Sequence, residues 1–464
     1  MHKSLLSLAL LSILSAPVLA APQQSDHDRI AALEAQVQAL QAELQAMKST
    51  APAAVASAPS VVAPGTTTAD EIDALAADAP DSAPQTTDAG SMGVAASDAG
   101  VSAGSGNSSA NAFNPAISLI LNGSYSHHSL DPDTYMRAGF PLAGEAGPSP
   151  DGFSLGESEI SLATNVDDKF YGQLTLAVES EDGEDHLGVE EAFIDTTTLP
   201  GGFNLRMGRF FSNIGYLNSH HAHTDSFFDR PLPYQAFLGG QYGDDGAQLR
   251  WIAPTSVFLE FGGELLRGEP YPSGGARNGG VGSRTLFAHI GGDAGDNNEW
   301  LAGVSMLRTS TANGEDGFSG DADVYIADAT WKWAPQGNFK DGGVTLRGEY
   351  LLDDRDGIYS DPDDPLNTAP WSGQRHGGYV EGVYRINRRW DVGYRYDGLW
   401  GDSDLPLASG FDPYRHTAEL TWRNSEFSLF RLQIGRDRPN ASDTDNVFTL
   451  QYQTSLGAHG AHKF

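Results

Sequence analysis

The feature that most constrains the fold of this chain is a two-residue alternation of apolar and charged side chains between residues 113 and 464. In one short run, Leu346 and Tyr350 lie on either side of Arg347 and Glu349. Successive side chains of a β-strand point to opposite faces, so such a run has one apolar, aromatic-rich face and one charged face. This pattern is typical of a transmembrane β-barrel, whose outer face contacts lipid and whose inner face contacts water.

The alternation recurs often enough to predict a closed barrel. Candidate strands begin near residues 116, 156, 169, 188, 202, 245, 257, 284, 299, 322, 342, 377, 390, 415, 427 and 447. The connections between them alternate between short turns and long acidic loops, as in outer-membrane barrels. We therefore predict an all-β transmembrane barrel of about 16 antiparallel strands at residues 113–464, preceded by a short α-helical coiled coil and a disordered linker.

The N-terminus predicts export. Residues 1–20 contain a positive charge at Lys3, an apolar run over 5–14 and small residues at the end, which together indicate a signal peptide. No later stretch reaches the roughly 18 apolar residues of a membrane helix. A closed barrel is then the one structure in which this chain could cross a bilayer. We expect the outer membrane of a Gram-negative bacterium, with outer-membrane lipid around the barrel.

Two segments separate the signal peptide from the barrel. Residues 26–50 contain a seam in which the apolar spacing alternates between three and four residues, formed by Ile30, Leu33, Val37, Leu40, Leu44 and Met47. This spacing predicts a coiled coil that associates with other chains. Residues 51–112 contain too few large apolar residues to order themselves and are predicted to be a flexible linker. With an even number of strands, both ends of the barrel domain face the periplasm, so the coiled coil would lie there.

Composition limits the classes of partner. The formal net charge of −33 disfavours nucleic acid and attracts cations, and the lack of cysteine excludes a disulfide scaffold. The acidic residues could equally form a solvated surface or a surface that selects cations. There is no H-E-x-x-H motif and no cysteine nucleophile. We therefore predict that the protein is not an enzyme.

The loop from Gly215 to Gly243 is the longest predicted external connection. It carries four potential metal ligands, namely His220, His221, His223 and Asp225. Imidazole and carboxylate groups bind zinc and similar ions, so these residues are a candidate zinc site. The alternative is a histidine cluster that binds no metal.

Two acidic clusters could hold calcium, which prefers several oxygen ligands. The first comprises Glu179, Glu181, Asp182, Glu184, Asp185 and His186, and the second Asp353, Asp354, Asp356, Asp361, Asp363 and Asp364. Their spacing fits no known calcium loop, so solvated external acid is the favoured interpretation.

The strand alternation also predicts which charges line the lumen. The predicted inward acids are Glu159, Glu260, Glu264, Glu349, Asp397 and Glu419, and the predicted inward bases are Arg206, Arg250, Arg347, Arg395 and Arg431. Rings of charge set ion selectivity in pores. The same residues could instead neutralise one another and fill the lumen.

The order of coiled coil, linker and barrel resembles the sugar- and phosphate-selective porins. Three stretches, at 113–121, 220–246 and 450–464, resemble proteobacterial proteins called zinc-regulated outer-membrane receptors. The resemblance implies a porin-like channel, a homotrimer, and recognition of the terminal Phe464 by the barrel-assembly machinery. The third external loop folds into the lumen in general porins, and by our strand count the histidine loop is the third.

The expected function is passive uptake of small polar solutes or cations, with a link to zinc. Alternatives are a gated, TonB-dependent-type metal receptor and a structural envelope anchor. TonB-dependent receptors have a folded plug and 22 strands. Residues 21–112 are too polar for a plug, and about 350 residues cannot form 22 strands with loops.

Overall fold

The computed structural model describes residues 115–457 except 145, 182–183, 275–279, 313, 361–365 and 402–409, and it leaves out the side chains of 179–181 and 184–185. The predicted signal peptide, coiled coil and linker and the terminal Phe464 lie outside the described residues.

The described chain forms one antiparallel sheet that closes on itself. Its strands are β1 (Ala116–His127), β2 (Gly152–Ser154), β3 (Ser158–Asn165), β4 (Phe170–Glu181), β5 (Glu184–Thr196), β6 (Phe203–Phe211), β7 (Gly243–Ile252), β8 (Phe258–Leu266), β9 (Ser283–Asp293), β10 (Asn298–Thr311), β11 (Phe318–Trp333), β12 (Gly343–Ser360), β13 (Thr368–Asn387), β14 (Trp390–Gly401), β15 (Tyr414–Ser425), β16 (Ser428–Arg438) and β17 (Asp445–Gly457). The short β2 pairs with β1 beside β3, so β2 and β3 together form one wall strand and the wall has sixteen.

Closure comes from pairing of the first and last strands. The register between β1 and β17 runs from Ser118 opposite Gly457 to His127 opposite Phe448. Every other neighbouring pair is also antiparallel and consecutive along the chain. Closure leaves no sheet edge unpaired, which a bilayer requires. The predicted sixteen-strand antiparallel barrel is therefore confirmed.

The helical elements are few and short. One α-helix, α1 (Leu232–Leu238), is described, together with 3-10 turns at Pro132–Thr134, Pro200–Gly202, Leu217–Ser219, Ala222–Thr224, Pro335–Gly337 and Phe339–Asp341. Among the described residues, no helix is both long and apolar enough to cross a membrane.

The outer face of the wall is apolar and carries aromatic side chains at both ends. Near the short turns, Trp390, Trp422, Phe430 and Tyr452 form a stacked row with ring centroids 4.5–6.3 Å apart. Toward the long connections, Tyr350 and Trp400 are in contact, with ring centroids 6.1 Å apart. Aliphatic residues such as Val380, which is 64% exposed, lie on the same outer face together with tyrosines such as Tyr396. Aromatic girdles around an apolar band are the signature of a barrel embedded in lipid.

The connection between β6 and β7, residues 212–242, turns into the barrel and is called the inward loop here. None of its residues is exposed and about two-thirds are buried, including all seven residues of α1. Gly239 ends α1 in a left-handed conformation with φ 64°, and its N–H donates to the carbonyl of Tyr234. The loop that was predicted to fold inward therefore lies inside the lumen.

Candidate functional site

Glu349 on β12 anchors the start of the inward loop. Its carboxylate accepts hydrogen bonds from the backbone N–H groups of Tyr216 and Leu217, each at 3.0 Å. It also accepts from the hydroxyls of Tyr234 at 2.8 Å and Tyr379 at 2.7 Å. Buried backbone N–H groups need acceptors, and one carboxylate supplies two of them here. Glu349 was predicted to line the pore, but it is covered by the loop that it holds.

Glu264 on β8 has a similar role at the point where the loop leaves β6. It accepts hydrogen bonds from the Ser212 hydroxyl, from the Asn213 backbone N–H at 2.9 Å and from the Thr285 hydroxyl at 2.6 Å. Gln248 donates to the same carboxylate at 2.7 Å. A predicted lumen charge is again bound to loop and wall rather than open to a solute.

An apolar core fills the lumen between the inward loop and strands β10–β14. Inward-facing aliphatic residues of the wall, such as Leu351 and Leu399, are buried with Leu232 and Phe237 of α1. Gly377 on β13 lies directly under the helix, since a side chain there would meet Pro233 and Phe237. Apolar residues on a lumen wall are stable only if something excludes water from them, and the loop does this.

Guanidinium groups hold the middle of the loop on the opposite side. Asp229 lies 2.7 Å from Arg415 Nη1 and 3.1 Å from Arg395 Nη2. Arg431 Nη2 donates to the backbone carbonyl of Asp225 at 2.7 Å. Burial alone would raise the pKa of Asp229, but Arg415, Arg395 and a hydrogen bond from Gln433 lower it to about 2. Asp229 is therefore a charged anchor.

A polar cavity of about 250 Å³ remains between the inward loop and the ends of β15–β17 that carry the long connections. Its ionisable lining consists of Glu157, Asp229, Asp437 and Asp445 with Arg137, Arg230, Arg415 and His128. Carboxylates and guanidiniums thus share one small volume. Such a space can admit water and small polar solutes and binds apolar ones poorly.

A second polar cluster lies beside this cavity, where the loop meets β3 and β5. His223 Nδ1 is 2.6 Å from Glu159 Oε1, and His221 Nδ1 is 3.3 Å from Glu159 Oε2. His221 also lies 3.3 Å from Glu190 and 3.1 Å from Glu191. Burial alone would lower the pKa of His221, but the charge of Glu159 and the close contacts with Glu159, Glu190 and Glu191 raise it well above its ordinary value.

A β-bulge brings Glu190 and Glu191 of β5 to this cluster. Thr175 of β4 pairs with Glu191 and Leu176 pairs with Val189, so Glu190 is the extra residue. A bulge re-aims a side chain that regular alternation would send to the other face. Neither glutamate was predicted from the sequence, because strict period-two reasoning places one of them in lipid.

The structure divides the four predicted metal ligands of the loop. His221 and His223 come together with Glu159, which was predicted to line the pore. His220 instead stacks on Tyr216, with ring centroids 4.5 Å apart, and its Nδ1 lies 2.7 Å from the Tyr216 carbonyl. Asp225 lies 3.1 Å from Arg230. The structure therefore brings two of the four candidates together, while the path of the loop backbone gives His220 and Asp225 other partners.

All eleven predicted lumen charges are buried inside the barrel. Two pairs of predicted lumen charges form ion pairs. Arg250 lies 3.7 Å from Glu260, and Arg395 lies 3.0 Å from Asp397. The remaining contacts join residues outside the predicted set: Arg206 with Asp195, Arg347 with Glu381, Arg431 with Gln451, and Glu419 with Thr421. Many of these charges therefore have a partner on the same strand or on a neighbouring strand.

Some of the missed residues had a sequence signal. Arg415 is an even number of residues from Glu419 along β15, so both side chains point to the same face. Glu381 likewise lies at an inward-facing position of β13, so the alternation could have identified both residues. No local pattern identifies Asp229, because it lies in the loop.

Of the two acidic clusters, the structure describes four side chains, those of His186, Asp353, Asp354 and Asp356. Asp353 points into the barrel, where Arg355 and Arg375 contact it at 2.9 and 2.5 Å, while Asp354 and Asp356 lie on the outer face. Asp361, Asp363 and Asp364 lie outside the described residues, as do the side chains of the first cluster except His186.

Residues 152–156, G-F-S-L-G, match the spacing of a hydrolase nucleophile turn. Ser154 instead ends a short strand, and its hydroxyl lies 2.9 Å from that of Ser124. The motif in this structure joins β2 to β3 rather than a strand to a helix.

No family model matches the chain. A protein of Aquifex aeolicus (strain VF5), described as uncharacterized, is 32% identical over 396 residues, which covers 77% of this chain and 81% of that protein.

Several solved outer-membrane structures are similar in fold. The anion-selective porin of Comamonas acidovorans is 10% identical with a TM-score of 0.48 and covers 74% of this chain and 99% of the porin. The outer-membrane channel DcaP of Acinetobacter baumannii is 12% identical with a TM-score of 0.48 and covers 74% and 97%. OmpT, an outer membrane protein of Vibrio cholerae, is 11% identical with a TM-score of 0.47 and covers 74% and 97%. These likenesses do not bear on which solute this chain handles.

Proposed function

This chain belongs to the same family as the uncharacterized Aquifex aeolicus protein, and we propose that it is a passive outer-membrane channel for small polar solutes or cations. The observation that supports this most is the division of the lumen by the inward loop. Apolar packing fills the side of β10–β14, and a charged cavity of about 250 Å³ lies on the side of β15–β17. A barrel with a purely structural role has no need of a polar space inside.

On the proposed route, a solute would pass the place where the loop contacts β16 and β17. Gln433 accepts a hydrogen bond from the Phe228 N–H at 2.9 Å, and Gln453 donates to the His223 carbonyl at 3.1 Å. A solute leaving the cavity would pass these contacts. The position of the loop would therefore set the conductance.

The charge distribution favours cations in this proposal. Residues 113–464 carry 50 acidic and 25 basic residues, a formal charge of −25. A negative rim raises the local concentration of cations, and salt screens this effect beyond roughly 8 Å at physiological ionic strength.

The test is the conductance of the purified full chain in planar bilayers. We expect stepwise ion conductance, with reversal potentials in a KCl gradient that show cation preference and a stronger preference in dilute salt. Folded protein that inserts without conducting would contradict the channel, and anion preference would contradict the electrostatic argument alone.

A further inference from the structure

We propose that Glu159, Glu190, His221 and His223 bind one divalent transition-metal ion, which joins the inward loop to the wall. The inference goes beyond the proposed function, because the ion would bind whether or not the barrel conducts.

The ligand atoms already converge. One atom each from Glu159, His221 and His223 lies within 4.8 Å of the others, and all three side chains are buried. Glu190 meets the same limit with Glu157 and Glu159, so two groups of three share Glu159. The four proposed ligands come from β3, β5 and the loop, which are distant in sequence.

Two of the distances fit the edge of a metal tetrahedron. With metal–ligand bonds of about 2.0–2.1 Å, neighbouring ligand atoms are about 3.3–3.4 Å apart. His221 Nδ1 lies 3.3 Å from Glu159 Oε2 and 3.3 Å from Glu190 Oε2. The 2.6 Å contact between His223 and Glu159 would lengthen slightly on binding.

Two buried atoms in the cluster have no hydrogen bond. They are His221 Nδ1 and Glu190 Oε2, and they face each other. A buried polar atom without a hydrogen bond is destabilising, so such atoms need an explanation. A metal ion between them would coordinate both.

Charge balance is consistent with the same conclusion. Glu159, Glu190 and Glu191 all lie within 3.3 Å of His221, and buried carboxylates must be balanced by positive charge. That charge can come from the imidazolium forms of His221 and His223 or from a metal ion that replaces their protons. A divalent ion held by Glu159, Glu190 and two neutral imidazoles forms a set with no net charge.

The donor atoms indicate the class of ion. Two imidazoles with carboxylates suit zinc and its transition-metal neighbours, whereas calcium and magnesium prefer oxygen ligands alone. The ion can enter from the polar cavity. Glu157 and Ala222 line that cavity, and Ala222 lies between His221 and His223 in the chain.

Calorimetric titration of chelator-treated, folded full-length protein in detergent with zinc chloride tests this inference. We expect one equivalent of zinc per chain, with no competition from millimolar magnesium. His221→Ala and Glu159→Gln should each weaken binding at least about 100-fold, since changes outside the ligand shell alone typically cost 10- to 100-fold. His220→Ala is the matched control, because His220 stacks on Tyr216 and does not reach the cluster.

Heat-modifiable migration of each variant checks that the barrel is folded. If His221→Ala does not fold, X-ray absorption of the zinc-loaded wild-type protein replaces it, and two imidazoles in the coordination shell are expected. Absence of stoichiometric zinc binding, unchanged affinity in folded His221→Ala, equal loss in His220→Ala, or a shell without imidazole would each overturn the proposal.

Discussion

Tyr234 of the inward loop donates a 2.8 Å hydrogen bond to Glu349 of the wall, and Glu349 accepts three more hydrogen bonds. Both residues are buried. Gly215 is equally constrained, because its φ is +65° and a Cβ there would lie 2.5 Å from the Glu349 carboxylate. The position of the start of the loop therefore depends strongly on one side chain of β12.

Glu349→Gln should loosen the inward loop. The amide replaces one acceptor oxygen with an NH2 group, which would face the donors that now bind the carboxylate. The loss of these hydrogen bonds to a charged group should lower the free energy of unfolding by about 2 kcal/mol. We expect a lower thermal midpoint and larger or noisier single-channel currents. Asp328→Asn is the matched control, because Asp328 is a buried inward acid of the neighbouring strand β11. Equal effects of the two variants would show that the lost charge, not the lost anchor, is responsible.

Gly377→Leu should push α1 away from the wall. A Cβ at this position would already lie 2.9 Å from Pro233 and 3.0 Å from Phe237, and overpacking of this kind costs about 1–3 kcal/mol. Bilayer recordings should show increased conductance. Gly378→Ala is the control, since the nearest atoms there lie at 3.4 Å. Unchanged conductance in a folded Gly377→Leu protein would mean that α1 does not limit the route.

The Asp229 anchor predicts a specific pH dependence. The folded pKa of about 2 lies below the unfolded value of about 3.9, so the ion pairs stabilise the folded loop above about pH 4. That stability is lost as the pH falls through about 2. Asp229→Asn should lower stability at pH 7 by on the order of 2 kcal/mol. The difference in thermal midpoint between the two proteins should shrink below pH 4, and a constant difference down to pH 2 would refute the assignment.

Val380→Arg tests whether the outer face contacts lipid. Val380 lies on the outer face near the middle of β13, and an arginine near the bilayer midplane costs about 2–4 kcal/mol. Urea titration of the barrel in liposomes should show this loss. Leu366→Arg is the control because Leu366, at 93% exposure, lies in a connection outside the wall. If both variants are as stable as the wild type, the apolar face is not in the bilayer.

Residues 26–50 are proposed to oligomerise the chain as a trimer, the number being that of the porins that it resembles. Leu40→Asp places a charge in the heptad seam and should produce monomers in crosslinking and native mass spectrometry. Gln38→Asp lies off the seam and should leave the trimer intact. A wild-type monomer would refute association, and a dimer would refute the number.

Local sequence determined the wall of this protein. In a strand the side-chain period is two, so a run such as Leu346 to Tyr350 assigns each residue to lipid or lumen without any knowledge of its neighbours. That is why the predicted lumen charges are all buried and why the strand count agrees with the structure.

Tertiary structure decided the partners of those residues. Glu159 contacts His223, which lies 64 positions away in the chain, while His220, three residues before His223, stacks on Tyr216. Glu190 reaches the same cluster only because a bulge breaks the alternation of β5. Periodicity fixes the face of a side chain, but contacts within a face depend on the path of a loop and on strand register. Both are set by packing and hydrogen bonds between distant segments, which no local pattern encodes.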